Sequence, residues 1–252
     1  MSPAVLPGAE AWSAPGGPAG ALVIHGFTGC PQSMRGLAEA FASAGFTVEL
    51  PRLPGHGTTV EDMATTGWAD WSGAVEAAYR DLAGRCERVV AAGLSMGGTL
   101  AAWVGAHHPE LAGLVLINAA VGMADDDLRK GLEDMLSQGI ELMPGVAGDI
   151  ADPDADELGY DQVPVRSLLS LGEAMLDLEG RLADIRCPVL ILNSPQDHVV
   201  PPGASERLAG SVSGPVERVS LERSFHVATL DHDKELIERA AVEFARRVTS
   251  AA

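Results

Sequence analysis

The chain predicts an α/β fold, with a mostly parallel central sheet, helices on both faces and one core. Three observations carry that reading. Short apolar runs alternate with longer stretches of helical periodicity, as in successive βαβ units. A glycine-flanked serine, GLSMG, stands at one strand-to-helix junction. The alternation breaks once, over roughly sixty residues, far beyond an ordinary loop. At 252 residues the chain is long enough for a single large α/β unit.

In chain order, strands are expected at residues 21–24 (ALVI), 47–50 (TVEL), 88–93 (RVVAAG), 113–118 (GLVLIN), 188–193 (PVLILN) and 216–221 (VERVSL). Helices are expected over 33–44, 68–83 and 96–107. They end at Gly45, at Gly84 and ahead of Pro109, residues that stop helices. A last amphipathic helix over 234–248 places Leu236, Ile237, Ala240, Ala241, Phe244 and Val248 on one stripe and closes the domain. The long interval between Asn118 and Pro188 is rich in Met, Leu, Gly and Asp, with helical pieces at 128–137 and 165–178. It is expected to form a helical cap over the C-terminal edge of the sheet, where open α/β sheets bind ligands. Residues 1–118 and 185–252 then make the core, and 119–184 the cap.

Composition narrows the function. A formal charge of −18, with no local Lys/Arg cluster, repels phosphate backbones and anionic headgroups, so nucleic acid is excluded as a partner and a neutral substrate is expected. A surplus of surface acid also keeps a protein soluble without reporting on ligands. Cys30, Cys86 and Cys187 have no metal-ligand or disulfide spacing and are expected to be reduced packing residues. The N-terminal stretch has neither the basic nor the apolar part of a secretion signal, and no apolar run reaches membrane-spanning length. A cytoplasmic protein without stable membrane insertion is expected.

Gly93-Leu94-Ser95-Met96-Gly97 matches G-x-S-x-G, a weak pattern by itself. Its context is specific: it follows the strand RVVAAG and opens the helix MGGTLAAWVGAHH, the strand-turn-helix of a nucleophile elbow. A serine hydroxyl needs an adjacent base, itself oriented by a third group. On the α/β-hydrolase fold the acid follows a later strand, and the histidine follows the last one. Asp197 lies in QDHVVPP beyond PVLILN, and His226 in SFHVATLD beyond VERVSL. Of the other histidines, His25 and His56 precede the serine, His107 and His108 end a helix, His198 adjoins Asp197, and His232 opens the last helix. Ser95, Asp197 and His226 are therefore the expected nucleophile, acid and base. The backbone N–H groups of Met96 and of Phe27, in HGFTG after the strand ALVI, are the expected oxyanion donors, with both side chains free to line an acyl pocket.

With HGFTG, LPRLPGHGT, GLSMGG, SPQDHVVPP and SFHVATLD in order over nearly the whole chain, the sequence resembles the small bacterial monoacylglycerol lipases and the related thermostable carboxylesterases of the α/β-hydrolase superfamily. The segments HGFTGCPQSM, GLSMGGTLAAW and HHPELAGLVLINAA draw it nearest to the lipases. The resemblance implies an α/β-hydrolase fold with a small helical cap inserted after the sixth strand. It implies the same triad and oxyanion donors, and neither cofactor nor metal. The implied substrate is a small neutral lipid ester, a monoacylglycerol cleaved to glycerol and fatty acid through an acyl-enzyme. A general short- or medium-chain carboxylesterase or thioesterase is the alternative, and a homodimer is open. A non-catalytic binding module on this fold would lack a triad member or an oxyanion glycine, and none is missing.

On this reading Leu142, Met143 and Val146 are expected to face the acyl chain. Buried glycerol hydroxyls would need acceptors. Asp152 followed by Pro153 predicts the start of a short helix that brings Asp154, Glu157 and Asp161 near one face, with Glu157 as the expected glycerol acceptor. A solvated acidic surface is the competing reading of that segment. Asp184 and Asp231 are expected to matter far less than Asp197.

Overall fold

The structure, a computed structural model, describes residues 3–122, 126–145 and 148–250. The strands are β1 (Trp12–Ala14), β2 (Ala19–Ile24), β3 (Thr47–Leu50), β4 (Arg88–Leu94), β5 (Gly113–Ile117), β6 (Leu142–Pro144), β7 (Gln162–Pro164), β8 (Val189–Asn193) and β9 (Val216–Ser220). The helices are α1 (Arg35–Ser43), α2 (Val60–Met63), α3 (Trp68–Ala83), α4 (Met96–His107), α5 (Asp126–Ser137), α6 (Val165–Glu179), α7 (Gly203–Ser211) and α8 (Lys234–Thr249). Seven strands form the main sheet in the order β1-β3-β2-β4-β5-β8-β9. Every pairing in it is parallel except β1 with β3.

All six expected strands are present, with ends shifted by at most two residues. Successive side chains of a strand point to opposite faces. Leu22, Ile24, Ala91, Leu114, Leu116 and Ile191 thus join one apolar cluster, which α3 and α4 cover. Their neighbours Ala21, Val23, Ala92, Val115, Ile117 and Leu192 join a second one, under α1 and α8. Burial on both faces is why these strands read as continuous apolar runs. The α8 stripe packs as expected, with Ile237, Ala241 and Phe244 buried. The edge strand β1 was not predicted: three residues inside a Pro/Gly-rich lead-in are too few for any periodicity to register.

The insertion leaves the sheet after β5, the fifth strand in chain order rather than the sixth, because only β1 precedes the parallel strands. It holds α5, the antiparallel hairpin of β6 with β7, and α6, so both expected helical pieces are present. No helix starts at Asp152. The Asp152 carboxylate accepts the Asp154 N–H in a turn, and residues 155–160 run on irregularly. Their backbone groups are drawn to tertiary partners instead: the Leu158 N–H donates to Gln32 Oε1, the Tyr160 N–H to Thr28 O, and the Gln32 amide to Asp156 O. Backbone donors must be satisfied somewhere, and here long-range acceptors outcompete a local turn of helix.

Candidate active site

The parallel strands deliver the site residues at their C-terminal ends. Ser95 sits between β4 and α4 with φ 56° and ψ −120°, a backbone conformation strained for any residue but glycine. Its neighbours hold it there. The Ser95 N–H donates to Ile117 O at 3.0 Å, and Ser95 O accepts the N–H groups of Thr99 (3.1 Å) and Ala120 (3.2 Å). The turn is tight enough that a Cβ on Gly97 would stand 2.2 Å from Ile24 O and one on Gly93 2.0 Å from Gly97 O, which explains both glycines of the pentapeptide.

His226 and Asp197 come together from the loops after β9 and β8. His226 Nδ1 lies 2.8 Å from Asp197 Oδ2, and both side chains are almost fully buried. The other carboxylate oxygen of Asp197 accepts the N–H groups of Val199 (2.8 Å) and Val200 (2.7 Å). An ionised carboxylate only accepts, so the imidazole proton sits on Nδ1 and Nε2 keeps its lone pair, as a general base requires.

The loop after β2 is fixed by its histidine. His25 Nε2 accepts the Leu53 N–H (3.1 Å), which leaves Nδ1 to donate to Gly26 O (2.9 Å). Burial and the neighbouring His56 lower the pKa of His25 to about 3, and burial lowers that of His56 to about 4, so neither acts as an acid or base near neutral pH. The Phe27 ring packs edge-on to His56 and Trp71.

Ser95, His226, Gly26 and Phe27 line one cavity of about 220 Å³. Its walls are apolar, with Met143, Val163 and Leu168 from the insertion and Val199 and Val227 from the core, and among the described residues Glu157 is its one carboxylate. A larger open groove of about 560 Å³, beside Trp68 and Trp103, contains none of these residues. Among the described residues no cluster of His, Cys, Asp or Glu is arranged to hold a metal ion, and no helix is long and apolar enough to cross a membrane.

Comparison with known families adds to this geometry. The family profile described as serine aminopeptidase, S33 (Hydrolase_4) matches residues 18–233. The chain belongs to this family. It is a serine hydrolase of the α/β-hydrolase superfamily. Over 244 residues, 95% of each protein, it is 45% identical to a thermostable monoacylglycerol lipase of Bacillus sp. strain H-257. It is also similar to a carboxylesterase of Bacillus subtilis strain 168, 24% identical over 92% of this chain and 94% of the other. A solved structure from work on two metagenome-derived lipolytic enzymes superposes with a TM-score of 0.92 at 44% identity, covering 97% of this chain and all of that one.

For this hydrolase several expectations need correction. The Met96 side chain is fully buried in the core with Leu22, Ile24 and Leu100 and does not line the cavity, whereas Phe27 does. Position 96 opens α4, a helix buried nearly all round, so its side chain turns into the core whatever its N–H faces. Of the insertion residues expected to face the acyl chain, Met143 lines the cavity, with Pro144 beside it, and Leu142 does not. Val146 lies outside the described residues. Glu157 reaches the cavity without a helix, while Asp154 and Asp161 stay out of it. Burial pushes the Glu157 carboxyl above its ordinary value, against the opposing pull of the Gly148 N–H and of His226. A Cβ on Gly29 would stand 2.8 Å from Glu157 Oε1, so Gly29 is the residue that leaves it room.

Sequence reasoning also missed residues that brace the pair. Asn118, at the end of β5, donates to His226 O (2.8 Å) and Phe225 O (3.2 Å) and accepts the Ser194 N–H (2.8 Å). Asp231, expected to matter far less than Asp197, is fully buried and accepts four backbone N–H groups, from Ala151, Asp152, Phe225 and His232. Asp184 is exposed and makes a 3.4 Å ion pair with Arg181, in keeping with a minor role.

Proposed function

We propose that the enzyme hydrolyses monoacylglycerols to glycerol and free fatty acid through an acyl-enzyme on Ser95. The observation that carries this reading is a small cavity with apolar walls, open to Ser95 and His226, into which the half-buried carboxylate of Glu157 reaches. A fatty acyl chain suits the walls, and the glycerol hydroxyls suit the carboxylate. The 45% identity to a monoacylglycerol lipase supports the same substrate class.

In the proposed mechanism Ser95 Oγ attacks the ester carbonyl as His226 Nε2 takes its proton. The resulting oxyanion accepts from the Phe27 and Met96 N–H groups, the latter at the N-terminus of α4, where the helix dipole favours negative charge. Collapse of the intermediate breaks the ester C–O bond, and His226 returns the proton to the departing glycerol oxygen. Water, deprotonated by His226, attacks the acyl-enzyme and releases the fatty acid and Ser95. Asp197 holds the imidazole in the required tautomer throughout. Residues 119–184 serve as the cap that supplies the acyl-facing wall and Glu157, and the enzyme works in the cytoplasm on a small neutral lipid ester.

The test is to compare kcat/KM on a monoacylglycerol and on the methyl ester of the same acid for wild type, Glu157→Gln and Glu157→Leu. A charge-assisted bond to a buried hydroxyl contributes about 1.5–3 kcal/mol, so loss of Glu157 is expected to cost at least tenfold on the monoacylglycerol alone. Equal effects on both esters, or none, would reject the glycerol contact and leave a general carboxylesterase.

A further inference from the structure

Asp149 joins the cap directly to the loops of the catalytic pair, a role its sequence position gave no reason to expect. Its carboxylate, largely buried, lies between the two loops that carry His226 and Asp197. Oδ2 accepts the backbone N–H of His226 (3.1 Å) and that of His198 (3.2 Å), and Oδ1 lies 2.8 Å from His198 Nδ1. The Val227 N–H donates to the main-chain oxygen of the same residue at 3.0 Å. One cap residue thus holds both sides of the His226 peptide and, through His198, the residue next to Asp197. His198 itself stands mostly in solvent, its ring edge-on to Phe225.

We propose that Asp149 is a positioning residue: it sets the separation of the His226 and Asp197 loops, and so couples the placement of the cap to the geometry of the general base. The inference rests on the Ser95, His226 and Asp197 reading. His226 is held from three directions, at its ring by Asp197, at its carbonyl by Asn118 and at its N–H by Asp149. Only the last of these comes from the cap. Charge-assisted hydrogen bonds to backbone N–H groups are short and directional, so they define position as well as contribute energy. The His226 and His198 loops meet here through a carboxylate from neither of them, so removing it leaves two buried-edge N–H groups to find other partners and frees the loops to separate.

The experiment measures kcat and KM separately for wild type, Asp149→Ala, Asp149→Asn and His198→Ala on p-nitrophenyl acetate, whose acyl group is too short to need the cap walls, and on a monoacylglycerol. Small displacements of a catalytic group cost about tenfold to a hundredfold in rate, so Asp149→Ala is expected to lower kcat at least tenfold on both substrates while KM for the acetate ester changes little. Asp149→Asn keeps one oxygen for the two N–H groups and is expected to recover much of that loss. His198→Ala removes only the ring contact and is expected to show a smaller loss in the same sense. An Asp149 that merely fastens the cap predicts a different split, with KM raised on the monoacylglycerol and kcat on the acetate ester within twofold of wild type, and that result overturns the proposal. Should Asp149→Ala not fold, His198→Ala decides by the same criterion: kcat unchanged on both substrates overturns the proposal. Failure of the underlying triad shows separately, as residual activity in Ser95→Ala or fluorophosphonate labelling away from Ser95.

Discussion

Replacing Asp231 with asparagine tests whether the His226 loop is held by one buried carboxylate. Both oxygens are occupied: Oδ2 accepts from Ala151 (2.8 Å) and Phe225 (2.9 Å), and Oδ1 from Asp152 (3.0 Å) and His232 (2.7 Å). Asparagine has the same shape but offers an NH₂ in place of one oxygen, so two of the four donors face another donor. Hydrogen bonds to a charged group are worth about 1.5–3 kcal/mol each and are not additive, so a loss on the order of 3 kcal/mol is expected. At about 2–4 °C per kcal/mol for a domain of this size, Tm should fall by about 6–12 °C at pH 7. The pH dependence follows from the same contacts. Burial alone would raise the Asp231 pKa, but the four N–H groups outweigh it and hold the carboxyl below its ordinary value. A lowered folded-state pKa gives stability that is complete above the unfolded value of about 4 and is lost as pH falls through the folded value. The gap between wild type and Asp231→Asn should therefore be widest near neutrality and narrow in acid. Calorimetric scans at a series of pH values measure it. A variant melting within about 2 °C of wild type at pH 7, less than 1 kcal/mol by the same conversion, refutes the reasoning.

Further outcomes are expected at four positions. Ser95→Ala should lose turnover by several orders of magnitude with an unchanged melting temperature, and Asp197→Asn should lose on the order of 10⁴ by favouring the wrong imidazole tautomer; more than a few per cent residual activity in purified Ser95→Ala excludes it as nucleophile. Met96→Leu, a volume-conserving change in the core, should cost below about 1.5 kcal/mol and keep most activity, as read by melting and steady-state rates. Met96→Pro should abolish activity, since it deletes the N–H and forces Ser95, at φ 56°, toward the extended region required before proline. Gly97→Ala would press a methyl to 2.2 Å from Ile24 O and 2.6 Å from His25 O. It should destabilise by at least about 1–3 kcal/mol and lower kcat further by moving the Gly26–Phe27 loop, whereas wild-type rates in Gly97→Ala would show that the turn has room for a methyl group.

How far the sequence reaches is clear from particular residues. Of the six parallel strands, β2, β4, β5 and β8 were legible because they are buried on both faces and stand out as apolar runs, whereas the half-exposed edge strand β9 shows only in its β-branched valines between turn residues, and α4 was bounded correctly because Ser95 and Pro109 mark its ends chemically. The order of Ser95, Asp197 and His226 along the chain was legible for the same local reason: each follows a recognisable strand. The three-residue strands β1, β6 and β7 were not, since they form only where a partner edge presents itself.

The sequence by itself determined what depends on near neighbours: strand and helix periodicity, the glycines that permit a sharp turn, and which residue types follow which strand. The tertiary structure alone decided which groups meet across the chain. Asp149 reaches His226 across 77 positions, Asp231 reaches Ala151 across 80, and Asn118 reaches His226 across 108. It also decided that residues 152–160 remain without a helix and that Met96 points into the core. Nothing in a local window encodes these contacts, because a carboxylate or amide satisfies whichever buried backbone donor or acceptor the packed sheet and insertion bring within reach, and that juxtaposition exists only once the core has closed.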